Sequence, residues 1–132
     1  MGTIVVGYVP KPEGDAALAQ AISEAKLRNA SLVVVNSHRG GESLDADTAA
    51  KSEQQLRAVE KTLTDSGVQF EIKQLVRGFE PAEDLVKTAE AAEAELIIIG
   101  LRRRTPVGKL ILGSNAQRIL LDAHCPVLAV KA

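Results

Sequence analysis

The chain has 132 residues, 45% of them apolar, and a net charge of −1 from 16 basic and 17 acidic side chains. Its aromatic residues are Tyr8, Phe70 and Phe79, so the core must be built from Ala, Val, Ile and Leu. Three aromatics cannot supply a stacking platform for single-stranded nucleic acid, RNA or sugar rings, and no nucleic-acid partner is expected.

Thr3 to Tyr8 is a β-branched apolar run and reads as the first strand. An irregular stretch from Val9 to Gly14 leads into a helix from about Asp15 to Arg28, with Ala17, Leu18, Ala21, Ile22 and Ala25 on one stripe. Leu32 to Val35 is the second strand, and Gly40-Gly41 a loop ahead of the second helix, from about Asp45 to Asp65. Leu56, Val59 and Leu63 share one face of that helix, and Gly67 terminates it. The third strand, Phe70 to Val76, alternates over Gln69-Phe70-Glu71-Ile72-Lys73 as an edge strand does. A third helix starts at Glu80-Pro81, where proline is tolerated in the first turn, and carries Leu85, Val86 and Ala89. Leu96 to Ile99 forms the fourth strand. A long connection, Leu101 to Leu112, then reaches a fourth helix at Gly113-Ser114, with Ser114 as N-cap and Ile119, Leu120 and Ala123 on its apolar side. Val127 to Val130 is the last strand.

This βαβαβαβαβ order, without repeats or low-complexity linkers, specifies an α/β fold: a doubly wound, five-stranded parallel sheet with right-handed crossovers and helices on both faces. The length suits one domain covering 1–132. In a flavodoxin-type strand order, 3-2-1-4-5, the connections after the first and fourth strands flank the crevice where the order reverses, which is where such sheets bind ligands. A connection as long as Leu101 to Leu112 is rarely kept in a compact domain without a use.

Charge is segregated around that connection. Between Glu95 and Asp122 there is no acid, while Arg102, Arg103, Arg104, Lys109 and Arg118 all fall there, leaving eleven basic against seventeen acidic residues elsewhere. One basic loop on an acidic body fits a local anion site better than a broad nucleic-acid face. The parts of a phosphate cradle are present: Gly100 for close backbone approach, the amides of Gly113-Ser114-Asn115 at a helix N-terminus, and arginines with planar donors. Gly108-Lys109 is not a Walker A loop, which would need glycine at 103 and a hydroxyl residue at 110, where Arg103 and Leu110 stand. His38 and His124 lack further ligands at metal spacing, and no metal site is expected. Cys125 cannot form an internal disulfide and reads as a small buried residue next to Pro126. No nucleophilic triad can be assembled, so no catalytic residue is assigned.

The sequence resembles the universal stress protein family over its whole length. That family carries Gly-x-x-Gly, nine residues, then Gly-Ser or Gly-Thr between its fourth strand and fourth helix; Gly100, Gly113 and Ser114 match, while Arg103 stands at the second glycine. Asn115-Ala116-Gln117-Arg118-Ile119-Leu120 and Cys125-Pro126-Val127-Leu128-Ala129-Val130 look like the family's carboxyl end. The resemblance implies a module that binds ATP or another adenine nucleotide, with accompanying Mg2+. The implied site comprises Val9, Pro10, Ser37, Gly100, Arg102, Arg103, Gly113, Ser114 and Asn115. Val9 stands where the family has an aspartate at the nucleoside end, and Ser37 matches the position whose backbone addresses adenine.

Three readings follow: a nucleotide-responsive regulatory module; a dimer that binds no ATP and acts through protein partners or another anion, favoured by Val9 and Arg103; and a slow ATPase, disfavoured because only Glu13 and Asp15 offer carboxylates in the crevice loops. A homodimer through strand 127–130 is expected from an apolar edge strand and from the family's habit. No apolar run reaches the ~18 residues of a membrane span. Met1-Gly2-Thr3 leads directly into a strand without a leader, so the expectation is no membrane and a cytoplasmic location.

Overall fold

The structure is a computed structural model that describes residues 2–39, 46–77, 81–101 and 113–132. Five strands, β1 (Thr3–Gly7), β2 (Ser31–Arg39), β3 (Phe70–Arg77), β4 (Leu96–Leu101) and β5 (Val127–Lys131), form a parallel sheet in the order β3-β2-β1-β4-β5. The connecting helices are α1 (Pro12–Arg28), α2 (Ala46–Ser66), α3 (Pro81–Ala91) and α4 (Ser114–Asp122). This is the doubly wound architecture expected from the alternation of elements, with β3 and β5 at the two edges.

Successive strand residues point to opposite faces, and each face is covered by a helical layer. Ile4, Val6, Val34 and Ile98 pack with Ala17, Leu18 and Ala21 of α1 and with Val59 and Leu63 of α2. Val5, Val35, Ile97 and Ile99 pack with Ala82, Leu85 and Ala89 of α3 and with Ile119 of α4. Ile4, Val5, Val6, Ile97 and Ile98 are all 0% exposed, which is why the two central strands read as continuous apolar runs. Fully burying a side chain of this size contributes about 1.5–3 kcal/mol, so the middle of the sheet is its most firmly held part.

Several boundaries differ by a residue or more from the sequence expectation, and four of the differences have a local reason. Helix α1 starts at Pro12, three residues before Asp15, because proline's fixed φ suits a first helical position and its missing N–H costs nothing there. The irregular stretch after β1 is correspondingly shorter. Strand β2 continues past Val35 to Arg39, since β3 runs beside it and the ladder pairs Asn36 with Gln74 and Ser37 with Leu75. Hydropathy ends at Val35; backbone pairing does not. Strand β4 reaches Leu101, placing Gly100 opposite Val130 inside the ladder. At α4 the N-cap is Gly113, extended at φ −67 and ψ 164, and Ser114 is the first helical residue. On that helix Ile119 is buried, whereas Leu120 and Leu121 are 43% and 83% exposed. Gly67, at φ 78, ends α2 as expected.

Candidate functional site

The strand order reverses between β1 and β4, and the carboxyl ends of these strands open into a crevice of about 210 Å3. Its depth depends on how tightly α1 is drawn over the sheet. Tyr8 N–H donates to the Val35 carbonyl at 2.9 Å, extending the β1–β2 ladder by one rung, and the chain then turns as Lys11 N–H donates to Val9 O at 2.8 Å. A β-carbon at Gly14 would overlap that same Val9 carbonyl, and one at Gly100 would overlap the Glu13 carbonyl. Both glycines are therefore needed for the first turn of α1 to lie against the ends of β1 and β4. Gly100 has a packing duty as well as a lining position.

Val35 of β2 and Ile99 of β4 contribute to the lining from the sheet, Pro81, Ala82 and Leu85 of α3 form one wall, and Asn115, Ala116 and Ile119 of α4 form the other. Tyr8 and Val9 complete the lining from the end of β1. This lining is aliphatic. Tyr8 is buried, and its hydroxyl donates to the Asp15 carboxylate; burial first, and then the Asp15 charge and hydrogen bond, raise its pKa above the ordinary 10.0. Asn115 is the other polar side chain of the described lining. The enclosed space is smaller than the roughly 300–1,000 Å3 usual for small-molecule sites, so the described walls enclose part of a nucleotide-sized ligand.

Two helices begin at this crevice. Helix α3 carries Glu83 and Asp84 in its first turn, carboxylates that complement its positive end. Helix α4 has no acid in its first turn, and no side chain caps it at Gly113. Among the described residues no side chain caps its first amides, which suits them to an external acceptor. Arg118 spans the two helices, 3.7 Å from Glu83 and 3.8 Å from Asp122, so this cation of the basic segment is held in ion pairs. Arg102, Arg103, Arg104 and Lys109 lie outside the described residues.

Of the residues singled out from sequence, Val9, Gly100 and Asn115 line the crevice, and Gly113 and Ser114 stand at the start of α4 beside it. Pro10 is exposed in the turn before α1. Ser37 lies within β2 rather than after it, two residues beyond Val35. Arg102 and Arg103 fall outside the described residues. The α3 wall was missed, although the Ala82, Leu85, Ala89 spacing carries the signal of a sheet-facing stripe. Elsewhere, His124 lies 3.8 Å from Glu90, Cys125 is half-buried with its thiol pKa raised by burial, and no metal-binding group of three or more side chains occurs among the described residues.

The topology defines a doubly wound α/β fold with a crevice at the carboxyl edge of its sheet, where the strand order reverses. Residues 1–131 match the model of the universal stress protein family, and a universal stress protein of Mycolicibacterium smegmatis is 49% identical over 97% of this chain and 96% of its own. The chain belongs to the universal stress protein family. Among solved structures, a universal stress protein from Archaeoglobus fulgidus is 35% identical and superimposes with a TM-score of 0.84, covering 99% of both chains. A structure of the universal stress protein from the same organism, in complex with dAMP, is 30% identical with a TM-score of 0.78, covering 99% of this chain and 98% of the other. No helix among the described residues is long and apolar enough to cross a membrane.

Proposed function

We propose that this chain is an adenine-nucleotide-binding regulatory module, binding ATP or a shorter adenine nucleotide in the β1/β4 crevice. The phosphates sit on the amides at the start of α4, with Arg102 and Arg103 as further donors, and the base lies between the aliphatic walls. The observation that carries this reading is the pairing of an apolar crevice with a helix N-terminus that has neither an acid nor a side-chain cap. A relative solved with dAMP supports the ligand class. Mg2+ would be held by the phosphates and water. The described lining has no carboxylate or imidazole to activate water, and the proposed role is binding, with the bound ligand altering the surface offered to partners.

Calorimetric titration with ATP, ADP and AMP tests the reading. Micromolar binding of at least one of them is expected, and no heat from any of the three contradicts it. A second reading, a dimer that acts through partners without ATP, is favoured by Arg103 at the position of the family's second glycine. Both readings share a homodimer through β5, an edge strand whose preceding helix, α4, exposes Leu120 and Leu121. Light scattering at micromolar concentration is expected to give twice the chain mass; a monomer contradicts this. A single cysteine fits a reducing compartment, and the proposed location is the cytoplasm.

A further inference from the structure

We propose that a second copy of this chain pairs with β3 along its free edge, antiparallel and centred on Ile72, so that two sheets join into one. The proposal is independent of the nucleotide reading, because β3 is the edge opposite β5 and the β1/β4 crevice lies between them. Strand β3 is eight residues long and contains no proline, so it lacks two of the usual means of blunting an edge. Leu32 N–H donates to the Gln69 carbonyl at 2.9 Å, and the parallel ladder therefore turns the backbone groups of Gln69, Glu71 and Lys73 toward β2. The alternate residues, Phe70 and Ile72 among them, turn their amides and carbonyls outward.

Charge selects the register. Residues with outward backbone groups must stand opposite one another, which leaves few twofold arrangements with good overlap. Centred on Lys73, that residue meets its own copy, and centred on Leu75, Lys73 meets Arg77; like charges directly opposite repel. Centred on Gln74, Glu71 stands opposite Arg77 but Lys73 opposite apolar Leu75. Centred on Ile72, Glu71 of each copy stands opposite Lys73 of the other, and Ile72 meets Ile72. Ile72 is half-buried against the core beneath α2, while Glu71, on the other face, is exposed. The pair thus continues an apolar layer on one face and forms two opposite-charge pairs on the other. A lone lysine on an edge strand repels a second copy; Glu71, two residues away, makes this edge self-complementary.

The helix above the edge leaves room for this. A groove between α2 and β3 is lined by Glu53, Leu56, Arg57, Glu60, Ile72 and Gln74. In the pair the two grooves meet. Strands ~4.8 Å apart bring the two copies of α2, each over its own β2–β3 gap, to about 10 Å from one another and antiparallel. That is the ordinary spacing of packed helices. Glu53, Arg57 and Glu60 supply both signs of charge to the new seam.

The test is oxidative crosslinking of the full chain in a Cys125→Ser background. Opposite residues whose backbones bond to each other have Cα atoms about 5.5 Å apart, within disulfide reach. Ile72→Cys is expected to give about fivefold more covalent dimer than Gln74→Cys, which reports the register centred two residues further on. Adding Glu71→Lys to Ile72→Cys is expected to lower the yield about fivefold, and adding Lys73→Glu as well to restore it, which separates lost pairing from misfolding. Without any added cysteine, sedimentation at rising concentration is expected to show a growth in mass that Glu71→Lys reduces and the exchange of both charges restores. No covalent dimer from Ile72→Cys, equal yields from the two cysteine variants, or a yield indifferent to the charge reversal overturns the proposal. So does a mass that Glu71→Lys leaves unchanged.

Discussion

Helices α3 and α4 begin at the same crevice but are furnished in opposite ways. Helix α3 opens with Pro81 and brings Glu83 and Asp84 into its first turn, so its positive end is answered by the chain's own carboxylates. Helix α4 opens with Gly113, Ser114 and Asn115, has no acid in its first turn, and receives no side-chain cap. Helix α1, which seals the crevice from the opposite face, follows the α3 pattern with Pro12, Glu13 and Asp15. A helix end that the protein has not neutralised, beside a hollow lined by aliphatic side chains, is where an external anion gains most. On the proposed reading, this contrast favours the start of α4 for the phosphate and leaves α3 as a wall.

The largest expected effect breaks the crevice on which both helices open. A β-carbon at residue 100 must displace the Glu13 carbonyl, and one at 14 must displace that of Val9. Gly100→Ala or Gly14→Ala is expected to cost about 3 kcal/mol of stability, read as a lower urea midpoint, and to abolish nucleotide binding. A midpoint unchanged in both variants would show that α1 does not need its close approach.

Next comes the contrast itself. Ser114→Asp gives α4 the carboxylate that α3 already has. It is expected to weaken AMP binding at least tenfold, about 1.4 kcal/mol, while leaving the melting temperature unchanged or slightly raised. Glu83→Gln removes an acid from α3 and is expected to change AMP affinity by no more than about twofold, with a stability loss below about 1 kcal/mol because its pair with Arg118 is exposed. If the α3 variant moves affinity as much as the α4 variant does, the two helix ends are equivalent and the assignment fails.

The smallest effect concerns Tyr8. Its proton is held more tightly in the fold than in the unfolded chain, which ionises near the ordinary 10.0. The unfolded state therefore binds fewer protons above about pH 10, and stability is lost as pH rises through the folded value. Tyr8→Phe is expected to flatten part of that decline while costing about 1 kcal/mol at pH 7 through the lost hydrogen bond to Asp15. Parallel declines for the two proteins between pH 9 and 11 would contradict the raised value.

Most of the architecture was legible because burial on both faces writes itself into the sequence. Ile4-Val5-Val6 and Ile97-Ile98-Ile99 can be nothing but central strands between helical layers, and the alternation at Phe70 to Lys73 correctly marks β3 as an edge. The carboxyl end of β2 was not legible, since Asn36 and Ser37 are held by ladder bonds that hydropathy does not record. The candidate site was half legible. Glycines and hydroxyl residues at the start of α4 announce themselves by type and spacing, but Ala82 and Leu85 look like any helix core until the fold brings α3 to the crevice. Gly100 carried a second meaning that no pattern shows: it makes room for α1.

The central claim is that the start of α4, and not that of α3, receives the nucleotide's phosphate. Backbone amide chemical shifts of 15N-labelled protein, followed while AMP is added, test it most directly. The largest saturable shifts are expected at Ser114, Asn115 and Ala116, with Ala82 and Glu83 moving little. Larger shifts at Ala82 and Glu83 than at the α4 amides, or saturating binding with none at α4, would contradict it.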